Sequence, residues 1–270
     1  MRRIELRERG VQHGFIRRMF SPGDLGERLK PFVFLDHLSG RVAPGGGFGF
    51  HPHSGIATLT YQLNADAAYE DTAGQKGLVE ATGLEWMRAS SGTWHQGFIH
   101  PHDDEAFGFQ LWVALPPGVE DGMPEGLYVR PRDVPQIGNV RVLLGSYEDH
   151  MNPIPAPSPI VYLDVVLVAG ETFRFAPPQA HTIAFAFVYR GRARVCGDEV
   201  AGELVVLDES EEEIVIDALG PARILFGSAR KHEHPLVLGS HSVHTNAESL
   251  RQGVANIRRI GEELRRAGRM

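Results

Sequence analysis

Cysteine is almost missing from this 270-residue chain: Cys196 is the only one, so no disulfide can form within it and no thiolate-rich metal site is available. That usage suits a reducing compartment, and Cys196 is expected simply to fill space beside a hairpin, before Gly197-Asp198. Long apolar runs are missing too. None approaches the roughly 18 residues of a spanning helix, and the opening Met1-Arg-Arg-Ile-Glu-Leu-Arg-Glu-Arg9 is charged where a signal peptide needs an apolar stretch. A cytoplasmic protein without membrane association is the expectation. An excess of basic charge is also lacking: the formal net charge of −7 argues against direct binding to nucleic acid, which depends on a basic footprint that releases counterions. Hydrophobic residues at 42% and charged residues at 23% are ordinary globular values, and the length is enough for a full core in two domains.

What the chain does have is punctuation. Its 31 glycines and 18 prolines separate short alternating apolar runs, the rhythm of an all-β sandwich or barrel. Across residues 56–63 the odd positions Ala57, Leu59, Tyr61 and Leu63 are expected to share the face of His51 and His53. A second period-2 stripe runs through Phe107, Phe109, Leu111, Val113 and Leu115, with Gln110 and Trp112 on its other side. Residues 71–77 read as a turn and residues 116–124, rich in proline and glycine, as a crossing. The spacing predicts a domain boundary near Ile137, giving domains 1–137 and 138–270. In the second half, strands are expected near 140–144, 161–168, 173–175, 182–189, 193–196, 203–207, 213–216 and 222–226, so it repeats the architecture of the first by rhythm though not by identity. One helix is marked, over 246–267 and within the second domain. Thr245-Asn-Ala-Glu248 reads as its capping box, and Leu250, Val254, Ile257, Ile260 and Leu264 follow at helical spacing, with an arginine-rich face left for solvent.

The chemistry concentrates in three histidines. His51-Pro-His53 places two imidazoles on one face of a strand, and His95, ending Ser90-Ser-Gly-Thr-Trp-His95, can converge on them from a neighbouring strand. The glycine-rich lead Gly45-Gly-Gly-Phe-Gly-Phe50 and the later Gly92-x2-His95 make this the two-block pattern of cupin barrels. Neutral imidazoles accept iron, zinc, manganese, nickel or copper as divalent ions. Two further pairs, His100-Pro-His102 and His232-Glu-His234, lie in proline-rich or polar contexts that read as loops, and His181 stands alone in the second half as a structural residue.

Five blocks in order, Pro31-Phe-Val-Phe-Leu-Asp36, Phe50-His-Pro-His-Ser-Gly-Ile-Ala-Thr-Leu-Thr-Tyr61, Asp71-Thr-Ala-Gly74, Glu85-Trp-Met-Arg-Ala-Ser-Ser-Gly-Thr-Trp-His95 and Phe109-Gln-Leu-Trp-Val113, resemble the pirin family, and the likeness continues through His234-Pro-Leu-Val237 and Val243-His-Thr-Asn246. The resemblance implies a bicupin, two cupin barrels in tandem, with a metal, usually iron, in the first barrel and none in the second. It carries the family's three histidine ligands onto His51, His53 and His95. The family's fourth ligand, a glutamate two residues after the third histidine, falls here on Gly97, and a second customary glutamate falls on Ala57.

Three outcomes follow for such a site. Three histidines alone hold the metal, most readily Fe(II), and leave extra positions for a substrate; or the next loop, with His100, His102, Asp103, Asp104 and Glu105, supplies a fourth ligand, of which His102 and Glu105 are the candidates; or metal binding is lost and the pocket stays apo. The resemblance implies a quercetin 2,3-dioxygenase-type oxygenase acting on a small aromatic substrate, for which Glu105, Asp103, His100 or a bound hydroxide would have to accept the proton. Phe48, Phe50, Tyr61, Trp94 and Phe98 are candidates for an apolar mouth, although Trp94 should point away. The other implied function is non-enzymatic: a regulatory, protein-binding pirin with weak or no metal binding.

Overall fold

The structure is a computed structural model and describes residues 2–43 and 45–270. Its contacts divide the chain into two compact units. One comprises Gln12–Arg28, Phe32–Asp133 and His232–Met270; the other takes Val134–Lys231 together with Met1–Val11 and Leu29–Pro31. The expected boundary at Ile137 lies close to this break, but the sequence reading divided the chain only once. The terminal helix belongs with the first barrel and not with 138–270, because Trp94 Nε1 of that barrel donates to the helix carbonyl of Ile257 at 2.7 Å.

The first unit is built from two sheets. The larger runs Glu125–Val129, Leu84–Arg88, Ile56–Gln62, Glu105–Ala114, Phe32–Arg41, Ile16–Phe20 and Val11–His13 in spatial order. The smaller runs Gly47–His53, Thr93–Pro101, Ala65–Asp71 and Lys76–Val79. The second unit has the same plan. Its larger sheet includes Leu204–Leu207, Ile183–Arg190, Ala222–Ala229, Ile160–Leu167 and Val140–Leu144, and its smaller sheet runs Thr172–Phe175, Ile214–Ala218, Ala193–Val195 and Asp198–Val200. Most of these strands were visible as apolar runs. The second interior is lined with buried apolar side chains, with Phe175 edge-on to Phe226 at 4.8 Å between centroids, and His181 lies buried beside Ser228. Cys196 and Gly197, both at positive φ, form the two-residue turn between Ala193–Val195 and Asp198–Val200.

The helix spans Ala247–Arg266, one residue shorter at each end than expected. Its cap is Asn246, whose side chain accepts from the backbone N–H of Glu248 and Ser249, so the expected capping box from Thr245 does not form. Thr245 instead donates from both its N–H and its hydroxyl to the carboxyl of buried Glu120. No helix among the described residues is long and apolar enough to cross a membrane.

Candidate metal centre

Strand pairing delivers the three histidines. His95 lies directly opposite His51 in the antiparallel pair of Thr93–Pro101 with Gly47–His53, and His53 is two residues further along the same face. Their ring centroids stand 5.0 Å (His51–His53), 4.3 Å (His51–His95) and 5.1 Å (His53–His95) apart, and one nitrogen from each falls within 4.8 Å of the others. Backbone carbonyls set the tautomers. His51 Nδ1 donates to Gly49 O at 2.8 Å and His53 Nδ1 to His241 O at 3.3 Å, which leaves Nε2 of each ring as the nitrogen with a free lone pair. His95 Nε2 is buried without a hydrogen-bond partner.

Electrostatics favour the neutral, ligating form. Burial lowers the pKa of His51; burial and the neighbouring His51 bring His53 down to about 3; burial and both companions hold His95 well below the ordinary value. Three neutral imidazoles with an orphaned nitrogen fit a divalent metal and offer little else to hold it, since a buried unpaired acceptor is costly unless something occupies it. Of the two carboxylates missing from the pattern, only one touches this place. Gly97 lines the cavity beside the histidines, whereas Ala57 is fully buried opposite Val113 and does not reach it. The candidates for a fourth ligand do not reach it either. Both lie at the hairpin joining Thr93–Pro101 to Glu105–Ala114: the His102 ring is about half exposed and bonds Asp66 at 3.0 Å, and Glu105 is exposed.

The histidines open onto a cavity of about 330 Å³. Its wall is not the one expected. Gly55, at φ +75°, carries the chain from the smaller sheet to the larger, and a Cβ there would lie 2.0 Å from Val243 O. Across that step the inward parity changes. Thr60 and Gln62 face the cavity, while Ala57, Leu59 and Tyr61 lie in register with Val113, Leu111 and Phe109 in a buried apolar layer outside it. Of the aromatic residues considered for the mouth, Phe48 lines the cavity and Phe50, Tyr61 and Phe98 do not, while Trp94 points away toward the helix as expected. The aromatic wall is instead Phe34 stacked on Trp112 at 4.1 Å and 10°, with Arg18 over Phe34 and Trp112 edge-on to His53 at 4.8 Å.

Several cavity residues had been overlooked. Glu85 is buried and accepts from Thr60 Oγ1 at 2.8 Å; burial, with Asp71 adding to it, pushes its carboxyl up to about 7. Asp36, held by Arg18 through both carboxylate oxygens, is still displaced upward because burial outweighs that pairing. His241 reaches the rim from the segment before the helix, its ring 6.5 Å from that of His53. The only sequence signal for this wall was the polar stripe Thr58, Thr60, Gln62, which alternation assigns to solvent.

A seven-stranded and a four-stranded sheet enclosing a histidine-lined cavity define a cupin-type barrel. The family model described as Pirin matches residues 15–113. A pirin-like protein of Caulobacter vibrioides is 30% identical over 244 residues, covering 86% of this chain and 87% of its own length. The chain belongs to the pirin family. Among solved structures, quercetin 2,3-dioxygenase from Acinetobacter baumannii has the same fold at a TM-score of 0.87, over 96% of this chain and 97% of its own, with 23% identity. The bacterial pirin YhhW from Escherichia coli, in complex with nickel(II), matches at 0.68 over 84% of this chain and 99% of its own, with 18% identity.

Proposed function

We propose that this pirin is a metal-dependent oxygenase of the quercetin 2,3-dioxygenase type, with His51, His53 and His95 as the whole protein ligand set. The observation that carries it is the convergence of three neutral imidazoles at one end of an aromatic-walled cavity. Fe(II) is our first choice of metal, and Mn(II), Ni(II), Cu(II) or Zn(II) suit the same donors. Such an ion would supply Lewis acidity toward hydroxyl and keto oxygens and, for a redox-active metal, a route for electrons to O₂.

The chain's own contribution is placement. Phe34 and Trp112 give the cavity an apolar aromatic wall suited to an aromatic substrate, and Trp112 in turn buttresses His53. The cavity's limited volume excludes bulk water once such a substrate is seated. Loading purified protein with each metal in turn and following the loss of flavonol absorbance from quercetin tests the reading. Turnover with at least one metal, abolished in His51→Ala together with a fall in metal affinity of about 100-fold or more, is the expected result. Intact metal binding without turnover on any metal would sink the oxygenase and favour the non-enzymatic, partner-binding function.

A further inference from the structure

One row of side chains crosses the cavity wall at a single level. Antiparallel register places Glu85 opposite Thr60, Thr60 opposite Gln110, Gln110 opposite Asp36 and Asp36 opposite Arg18, and all five line the cavity. At its centre, Thr60 Oγ1 lies 2.8 Å from Glu85 Oε2 and 3.0 Å from Gln110 Oε1. A hydroxyl has one hydrogen, so it cannot donate to both oxygens.

Two arrangements satisfy the row, and they differ by one proton. In the first, Glu85 is a carboxylic acid that donates to Thr60, and Thr60 donates to Gln110 Oε1. In the second, Glu85 is a carboxylate that accepts from Thr60, and the Gln110 amide turns so that Nε2 donates to the threonine. Nε2 is buried without a partner in the present orientation, so a turn would satisfy it. The row therefore accommodates Glu85 in either protonation state. The carboxyl uses Oε2 toward Thr60, which leaves Oε1 for a ligand.

We propose that Glu85 is the proton acceptor of this cavity, its Oε1 taking the hydroxyl proton of a bound phenolic or enolic substrate while Oε2 stays hydrogen-bonded to Thr60. The inference rests on the substrate class of the oxygenase reading. The substrate O–H bond breaks, an O–H bond forms on Glu85, and the negative charge passes from carboxylate to substrate oxygen, so the charge of the cavity is unchanged.

The other carboxyl on this wall, Asp36, is pinned by Arg18. The acids considered from sequence, Asp103 and Glu105, are exposed outside the cavity. Of the ionisable groups around Glu85, Asp71 and Tyr69 face it from Ala65–Asp71 and add no positive charge. Tyr128, opposite in register, is bonded to Glu80, and Arg88 along the same strand is paired with Glu125. A carboxyl that titrates near neutrality can both accept a proton and return it.

The test uses quercetin as the probe on full-length, metal-free protein near neutral pH. Wild type should bind quercetin as its anion, seen as a red-shifted flavonol band. Glu85→Gln should bind it in the neutral form, with a dissociation constant changed by less than about tenfold. Infrared difference spectra of wild type alone, which need no variant, should show a carboxylate band replaced by a carboxylic acid band as quercetin binds. An equally red-shifted band in Glu85→Gln, or no new carboxylic acid band in wild type, overturns the role of Glu85 and leaves the oxygenase reading standing. Failure of wild type to bind quercetin overturns the substrate reading, and this inference with it.

Discussion

Gly97 and Ala57 both lack a carboxylate that the family pattern would place there, yet they are not equivalent. Ala57 sits in a closed apolar layer where a glutamate would be buried away from the histidines. Gly97 lines the cavity, its backbone is not in the left-handed region, and a Cβ there would meet only Ala68 O at 3.7 Å. A side chain therefore fits without strain. Gly97→Glu should fold and raise affinity for Fe(II) by about tenfold or more, about 1.4 kcal/mol, because it adds an anionic oxygen to three neutral nitrogens. Calorimetric titration of variant and wild type with Fe(II) under argon checks this, and equal affinities would mean that the glutamate cannot point at the histidines. The triad was legible because i, i+2 spacing and a third block fix its convergence with little help from context. Glu85 was not, since one acid in Leu84-Glu-Trp-Met-Arg88 reads like any solvent-facing alternate residue.

Among the elements, the terminal helix does more for the site than its amphipathic pattern suggests. Its glycines are contact points. A Cβ on Gly253 would lie 2.5 Å from Ser54 Oγ and 2.6 Å from His244 Nε2, and one on Gly261 2.5 Å from Trp94. Ser54 follows His53 directly and bonds Ser242 at 2.7 Å and His244 at 2.9 Å. On the far side of His244, Glu120 lies 3.3 Å from Nδ1. Burial acts to raise the Glu120 pKa, but bonds from His244 and Thr245 hold it below the ordinary range. The helix thus closes over a buried polar clamp at the back of a proposed ligand. For Gly253→Ala, helix propensity alone predicts a gain of about 1 kcal/mol, while overpacking at a buried site costs about 1–3 kcal/mol. The clash should win, lowering the melting temperature and weakening metal binding through His53; a stabilised variant would show that the helix can shift away freely. The sequence marked this helix by its apolar spacing, but not its cap, because Thr245 and Asn246 are both good capping residues and only the presence of Glu120 diverts the first.

For the molecule as a whole, buried ionisable groups make stability depend on pH in two opposed ways. His37 is brought down to about 4 and His53 to about 3, chiefly by burial, and His51 and His95 are lowered as well. The unfolded chain takes up these protons near 6.5 and the folded chain refuses them, so stability is lost as pH falls below about 6.5 and goes on falling toward 3. Glu85 acts in the other direction. Its folded pKa of about 7 exceeds the ordinary glutamate value of 4.5, so its penalty is full above pH 7, shrinks as pH falls, and is gone below about 4.5. Metal-free protein should therefore melt at progressively lower temperature below pH 6.5, since several histidines outweigh one glutamate. Glu85→Gln should be the more stable above pH 7, by on the order of 3 kcal/mol at most, and equal to wild type below about pH 4.5. Thermal melts across pH check both, and a difference that grew on acidification would contradict the assignment to Glu85.

Sequence alone determined the strand rhythm, the repeated barrel plan and the three histidines, because each depends on spacing along one strand or on the order of motifs along the chain. Only tertiary structure decided which face of each strand became the interior. A cavity that holds a ligand inverts the rule of apolar inside and polar outside, and the step at Gly55 changes the inward parity between His53 and Thr60. Tertiary structure likewise assigned the terminal segment to the first unit and the opening strand to the second. Such exchanges are set by contacts between residues far apart in the chain, and no local pattern records them.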